Sequence, residues 1–237
     1  MLYKMTAVAM LRPPPRFNLD PGWCMPGRPL QFDRKRAVRT ALGAFWNDGY
    51  SHVSVNGLCE RLGITRSSFY NAFGSLEELF EEAVALYASY APQHKARLWL
   101  EAVDPEAPEA AASAVAAIRA MFEAACRHRG SDVKRRGCMI VNSMNHLDRM
   151  PPALRRRMLA HQADNLELYA TLLRRAVDRG ELPADSDIEA LALSLQTLMA
   201  GLNTLSRTEA DGERLWRSAT RTLDGLGIRS PQAAQGT

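Results

Sequence analysis

Apolar residues recur along most of the chain at the spacing of amphipathic helices. A first segment carries Val38, Ala41, Leu42 and Phe45 at positions i, i+3, i+4 and i+7, which places them on one helical face. Two more segments repeat the pattern before Pro92, with apolar positions at Val55, Leu58, Cys59 and Leu62 and then at Leu76, Leu79, Phe80, Ala83, Tyr87 and Tyr90. No stretch alternates apolar and polar residues for long enough to predict a strand.

The same period continues through the C-terminal half and predicts an all-α chain. The predicted helices cover about residues 109–129, 138–147, 151–179, 188–202 and 212–226. Gly180 is in the position of a helix-ending glycine, and Asp185 or Ser186 is expected to cap the helix that follows. Residues 1–27 contain five prolines and no periodicity, so they and residues 229–237 are predicted to be disordered tails.

The connection between the second and third helices predicts a helix-turn-helix. Gly63 directly follows Leu62, where a left-handed residue would end one helix, and Thr65 can cap the next by accepting from free backbone N–H groups. Cys59, four residues before the glycine, is small enough to let the two helices cross closely. This is the spacing found in helix-turn-helix units that bind DNA.

The third helix of this unit has an aromatic back and a polar front. Its apolar residues Ile64, Phe69, Ala72 and Phe73 are predicted to face inward, which leaves Arg66, Ser67, Tyr70 and Asn71 outward. A helix of about two turns is not stable alone, so its back must hold it in place. Arg66 suits a guanine edge, Ser67 and Ser68 suit base edges or phosphates, and the other two suit the sugar-phosphate backbone.

The distribution of charge supports a polyanionic partner. Residues 28–74 contain seven basic and three acidic residues, a net charge of +4, whereas residues 75–237 have twenty basic and twenty-two acidic residues, a net charge of −2. A basic N-terminal segment favours nucleic acid. The four cysteines form no C-x-x-C pair, which argues against a disulfide framework. Without a signal-peptide core or a long apolar run, the chain is expected to work in the cytoplasm, away from membranes.

The segment GRPLQFDRKRAVRTALGAFWNDGYSHVSVNGLCERLGITRSSFYNAFGSLEELF, Gly27 to Phe80, resembles the DNA-binding domain of the TetR family of bacterial transcriptional regulators. The resemblance implies a DNA-binding domain over residues 28–91 and a larger C-terminal domain over residues 92–228 that dimerises and binds a small molecule. By position it implies a DNA-binding set of Ser54, Thr65, Arg66, Ser67, Ser68, Tyr70 and Asn71, to which the start of the fourth helix adds Ser75. Val53 and Leu76 depart from the threonine and lysine common in the family, so Arg34 is expected to supply a further contact.

A further segment, RRGCMIVNSMNHL from Arg135 to Leu147, is similar to a NemR-like subgroup of electrophile- and oxidant-sensing repressors. Cys138 holds the position of their glycine-cysteine pair. It follows three basic residues and begins a predicted helix, and both features would make its thiol more reactive. A small buried apolar residue is the alternative interpretation of this cysteine.

The middle helices supply candidates for an effector site. Methionines and aromatic residues mixed with Asn and His suit a medium-sized, largely apolar ligand, although most of these residues are expected to be core. Besides Cys138, the candidates are Trp99, Met121, Phe122, Asn142, His146, His161 and Tyr169. No spacing resembles a zinc motif, and no phosphate loop or nucleophile motif indicates catalysis, so neither a metal nor a cofactor is predicted.

These patterns favour a ligand-responsive regulator, usually a repressor, that binds a palindromic operator as a homodimer. Release by a small molecule or by thiol modification is expected. The last two long helices have apolar faces wider than burial within one chain requires, and pairing with a twofold copy would give a four-helix interface. An all-α carrier or enzyme that never binds DNA, or an adaptor that binds only proteins, would leave the polar front of the third helix without a role.

Overall fold

The computed structural model describes residues 33–102 and 113–229 of the 237-residue chain. Every regular element in these ranges is helical, which confirms the predicted all-α class. The ten α-helices described are α1 Arg34–Asp48, α2 Val55–Leu62, α3 Arg66–Phe73, α4 Leu76–Tyr90, α5 Pro92–Ala102, α6 Ala114–Gly130, α7 Met139–Met144, α8 Pro152–Asp178, α9 Ile188–Leu205 and α10 Gly212–Gly225. The predicted N-terminal tail, residues 28–32 of the predicted DNA-binding domain, residues 109–112 of a predicted helix and residues 230–237 lie outside the described residues.

Helix ends in the C-terminal half differ from the prediction by a few residues. Gly180 follows α8 with φ +72°, as expected for a helix-ending glycine. Asp187 caps α9, accepting from a first-turn N–H at 3.0 Å, so the prediction of Asp185 or Ser186 is wrong. The Ser186 hydroxyl instead donates to the Pro183 carbonyl at 2.6 Å, which holds it in the preceding turn.

The N-terminal helices α1 to α4 enclose one hydrophobic core. Residues from α7, α8 and the segment between them complete this core, and they are Met139, Met150, Leu154 and Met158. The N-terminal helices therefore share one core with the C-terminal part of the chain, and α4 contacts α7 directly. A movement of α7 or of the start of α8 would alter the packing around α1 and α4.

A second core lies between α6, α8, α9 and α10, with α5 against its edge. α10 packs closely against α6. Where the end of α6 meets the start of α10, a Cβ added to Gly130 would stand only 2.7 Å from the Cα of Gly212. Such close approach is possible only between glycines or other very small residues. The small alanine side chains of α6 thus allow α10 of the same chain to pack closely against it.

This packing decides which apolar faces remain open. Leu215 and Leu223 of α10 are fully buried, while Arg217 and its neighbours occupy the outward face. The expectation of a wide unburied apolar face is therefore wrong for α10, since α6 covers it. α9 keeps Leu193 and Leu205 56% and 45% exposed. No described helix combines the length and the apolar character needed to cross a bilayer.

Candidate nucleic-acid interface and effector cavity

The turn between α2 and α3 has the geometry that the sequence predicts. Gly63 adopts φ +67° and ψ 34°, a left-handed conformation, and its N–H closes α2. Only glycine takes this conformation without strain, apart from Asn and Asp. Two residues later, the Thr65 hydroxyl accepts from the N–H of Ser68 at 3.1 Å and begins α3. The two helices are thus joined by a tight turn with both ends capped.

The back of α3 is buried among aromatic rings. Phe69 is 0% and Phe73 is 2% exposed, and their ring centroids lie 5.4 Å apart. The Phe69 ring also meets the Tyr70 ring edge-to-face at 5.5 Å. Burial of two phenylalanines fixes the position and rotation of a helix that has only eight residues. The opposite face of the helix is therefore held outward.

The front of α3 is exposed and polar. Thr65, Arg66, Ser67, Tyr70 and Asn71 are exposed, with Tyr70 44% accessible. The side chains of the last four make no hydrogen bond or ion pair with another described residue. They are therefore available for an outside partner. Their chemistry, one guanidinium with a hydroxyl, a phenol and an amide, matches base edges and phosphates.

The hydroxyls of Ser68, Ser54 and Ser75 have hydrogen-bond partners inside the protein. The Ser68 hydroxyl lies 3.0 Å from that of Thr65 and is only partly exposed. Ser54 caps α2 and Ser75 caps α4, each accepting from a backbone N–H at 3.1 and 3.0 Å, respectively. Glu77 and a second carboxylate stand in the first turn of α4, so a phosphate is better placed at the start of α2 than at Ser75.

Arg34 has a structural partner. Its guanidinium donates to both carboxylate oxygens of Glu82 at 2.7 and 2.6 Å and to the carbonyl of Ala72 at 3.4 Å. It also lies 5.2 Å from the centre of the Phe73 ring. The arrangement joins α1 to α4 and to the end of α3. The DNA contact of Arg34 stays a prediction, and in the free protein Glu82 compensates the charge of this residue.

A cavity of about 360 Å³ lies between α4, α5, α6, α7, α8 and α9. It is lined by three of the predicted candidates, Cys138, His161 and Tyr169, and by Tyr87 of α4. Its volume is at the lower end of the range for small-molecule pockets. Because Tyr87 belongs to the core of the N-terminal helices, a molecule in this cavity would touch the helix that follows the helix-turn-helix.

The other effector candidates lie elsewhere. Met121 and Phe122 are 3% and 0% exposed in the second core, and Trp99 packs against that core. Their placement in an effector site is therefore corrected to a packing role. Asn142 and His146 line a separate surface depression of about 470 Å³ beside α1. Periodicity could not separate core methionines and aromatics from cavity-lining ones, because both lie on apolar faces.

Both parts of the chain match known protein families. Residues 37–83 match the family described as bacterial regulatory proteins, tetR family, and residues 114–222 match the tetracyclin repressor-like C-terminal domain. The chain is 32% identical over 194 residues to the uncharacterized HTH-type transcriptional regulator YezE of Bacillus subtilis, covering 80% of this chain and 93% of that protein. The chain belongs to the TetR family of transcriptional regulators.

Two further relatives of this TetR-family regulator carry functional names. The HTH-type transcriptional repressor ComR of Escherichia coli K12 is 29% identical over 83% of this chain and 90% of its own length. The TetR family transcriptional regulator CifR, solved as a cysteine mutant complexed with 26-bp double-strand operator DNA, is 30% identical with a TM-score of 0.71. That match covers 84% of this chain and 98% of CifR. The chain is a DNA-binding regulator rather than an enzyme.

Cys138 of this TetR-family chain lies in the cavity wall at the start of α7. Its N–H donates to the side-chain oxygen of buried Asn203. Burial first, and then the neighbouring Cys138 thiol, raises the pKa of the Tyr87 phenol, so this group stays protonated beside the sulfur. Of the basic residues that precede Cys138, Arg136 donates from its guanidinium to the Asp132 carboxylate at 2.9 Å. Its positive charge is therefore only partly available to the thiol.

The other two described cysteines are deeply buried. Burial raises the pKa of Cys59, and it raises the pKa of Cys126 to about 11. Both residues therefore remain thiols near neutral pH and pack as small apolar groups. Cys138 is the described cysteine with partial access to the cavity.

The segment before Cys138 connects the cavity to α1. The Trp46 indole N–H donates to the carbonyl of Gly137 at 3.1 Å, and the Arg136 guanidinium lies 3.7 Å from the centre of the Trp46 ring. Asn142 donates to the Arg136 carbonyl at 2.6 Å and accepts from Asn203 at 3.1 Å. Asn142, whose ligand role stays a prediction, thus holds this segment in place.

Sequence reasoning missed the charged groups of the cavity. Arg129 and Arg97 both line it. Arg129 continues the stripe of Phe122 and Cys126 on α6 and is itself only 7% exposed. A charged residue in register with an apolar stripe is the signal that could have identified it.

Proposed function

We propose that this TetR-family regulator represses transcription by binding a palindromic operator as a homodimer, and that a small molecule in the cavity releases it. The observation that carries the proposal is the exposed polar front of α3, held outward by Phe69 and Phe73. The operator-bound state of CifR and the repressor name of ComR support the same function. Such a protein works in the cytoplasm, where the chromosome is.

Two copies of α3 must reach successive major grooves on one side of the duplex. Half-sites one helical turn apart require recognition helices separated by about 34 Å. The exposed Leu193 and Leu205 on α9 support pairing of this helix with its twofold copy. Inserting half a helical turn between half-sites is expected to abolish tight binding, since the second copy would then face away from the groove.

Release requires that the ligand favour a dimer with a different separation of the two α3 helices. α4 contributes Tyr87 to the cavity wall and Leu79 and Phe80 to the N-terminal core, so a shift of α4 would move α3 with it. Coupling free energies between sites are typically about 1–3 kcal/mol, which lowers operator affinity about 5- to 150-fold. Covalent modification of Cys138 in the same wall is a second route to this shift.

The test begins with selection of genomic fragments bound by the purified protein, followed by fluorescence anisotropy on the selected duplex. Arg66→Ala is expected to weaken binding about 5- to 150-fold, because a bidentate contact with guanine contributes about 1–3 kcal/mol. Arg217→Ala, which removes an exposed arginine from the outward face of α10, is the matched control and should bind normally.

The salt dependence of the same binding separates DNA recognition from the alternatives. Affinity is expected to fall steeply with salt, with a slope of about −0.9 for each neutralised phosphate. A carrier or a protein-binding adaptor would select no DNA fragment. Equal affinity of Arg66→Ala and wild type would remove α3 from the proposed interface, and binding as a monomer in sedimentation would contradict the dimer.

A further inference from the structure

The cavity contains a buried positive charge without a carboxylate partner. Arg129 is 7% exposed and lines the cavity. Among residues 33–102 and 113–229, its Nη2 contacts the Met199 sulfur at 3.4 Å, and its Nε has no hydrogen-bond partner. No carboxylate of these residues forms an ion pair with it. Burying a guanidinium without a counter-charge costs free energy unless a negatively charged group binds to it.

The local helix accounts for only part of this arrangement. Arg129 lies in the last turn of α6, where a cation interacts favourably with the carbonyl end of the helix. That end supplies a partial negative charge but no acceptor for the free N–H. Burial first, and then the charge of Arg129, lowers the pKa of the adjacent His128, so this imidazole is neutral near pH 7 and adds no charge.

Apart from Arg129 and the histidines, the residues that line the cavity include one positive charge, on Arg97, and one negative charge, on Asp164. Arg97 donates to the backbone carbonyl of Asp164 at 2.7 Å and lies 3.5 Å from the Asn165 side-chain oxygen. Asp164 also lines the cavity and is exposed. With two guanidinium groups and one carboxylate among the residues that line it, the wall has one positive charge in excess, apart from its histidines. One negative charge on a ligand would balance it.

A second orphan donor stands in the same wall. Tyr169 is fully buried, and its hydroxyl has no hydrogen-bond partner of normal geometry among the described residues, although Gln93 is a polar neighbour. Burial raises the pKa of this phenol to about 12, so it keeps its proton. Arg129 interacts electrostatically with the same phenol. Both groups line the same cavity, so each offers it an unpaired donor.

We propose that the effector is a compact organic monoanion, a carboxylate on an apolar body, whose carboxylate accepts from Arg129 and Tyr169. The inference deepens the proposed function and rests on it for the regulatory consequence. Ile140, Val141 and Met144 supply apolar wall for the body of the ligand, and a cavity of about 360 Å³ admits only a small molecule. A phosphate dianion would leave one negative charge uncompensated.

The test uses a series of linear carboxylates from hexanoate to dodecanoate and of aryl carboxylates such as phenylacetate, each paired with its primary amide. Binding is measured by calorimetry and by the shift in Tm, which rises when a ligand binds only the folded state. At least one carboxylate is expected to bind wild type about 30-fold more tightly than its amide, because the amide leaves the buried charge unpaired. Octyl phosphate should bind more weakly than the carboxylate of equal length.

Variants assign this preference to Arg129. Arg129→Gln is expected to bind the carboxylate and the amide equally. Its Tm without ligand should stay close to that of wild type, because the lost interaction with the end of α6 is offset by removal of a buried charge that has no carboxylate partner. Arg129→Lys keeps the charge and should keep the preference, which guards against a folding defect in the glutamine variant. Arg127→Gln makes the same charge change at an exposed position of the same helix, and it should behave as wild type.

Three results would overturn the proposal: no carboxylate in the series binds, an amide binds as tightly as its acid, or Arg129→Gln keeps the preference for the acid. Operator binding without ligand is measured in parallel. Normal operator binding together with failure of the carboxylates overturns the effector class alone. Carboxylate binding by a protein that selects no DNA overturns the proposed function instead.

Discussion

Replacing Phe69 by alanine tests how α3 is held. Phe69 is 0% exposed, and its ring lies 5.4 Å from that of Phe73. Truncation of a buried phenylalanine to alanine costs about 3–5 kcal/mol, a large part of the 5–15 kcal/mol that typically stabilises a domain. Since an eight-residue helix has almost no stability of its own, this loss should undock α3 and lower operator affinity, although Phe69 does not face outward.

The assay compares two neighbouring aromatic residues on opposite faces of α3. Urea unfolding gives the free energy of unfolding, hydrogen exchange of the α3 amides gives local opening, and anisotropy gives operator affinity. Phe69→Ala should change all three, and Phe69→Leu should change them less because it retains apolar volume. Tyr70→Phe should weaken operator binding while the free energy of unfolding stays within about 0.5 kcal/mol. Unchanged stability and exchange in Phe69→Ala would show that this ring does not hold α3 in place.

Three further substitutions follow from the geometry. Gly63→Ala should destabilise the helix-turn-helix by about 1 kcal/mol through its left-handed backbone, whereas Gly63→Asn should cost less; equal unfolding midpoints would contradict this. Trp46→Phe removes the indole bond to Gly137 but keeps a ring, so operator affinity should persist while effector-induced release weakens; full release would show that this link carries no coupling. Wild type but not Cys138→Ser should release the operator after treatment with an electrophile, and equal release from both would exclude the thiol route.

The helix-turn-helix could be predicted from local signals. Gly63 and Thr65 end and begin helices through their own backbone and side-chain chemistry, so their roles depend little on the rest of the fold. The inward aromatics and the outward Arg66 and Tyr70 follow from a period of 3.6 residues. The ends of α3 and its exposed face can therefore be predicted from residues close to it in the sequence.

The cavity could not be predicted in the same way. Its wall brings together residues from six helices, and periodicity shows only that a residue faces inward, not whether it meets another side chain or a void. Phe122 and Tyr169 have the same pattern and belong to the same core, yet Tyr169 lines the cavity and Phe122 does not. Likewise, the pairing of Arg34 with Glu82 joins positions 48 residues apart, so no local pattern indicates it.

Site-specific photocrosslinking can show whether the front of α3 lies against DNA. A photoreactive amino acid replaces Ser67 on the front of α3, or Ser218 on the outward face of α10 as the matched control; both serines are exposed. We expect crosslinks to the selected operator duplex from position 67 and none from position 218. Crosslinks from position 218 with none from position 67 would contradict the assignment of α3 as the DNA-reading helix.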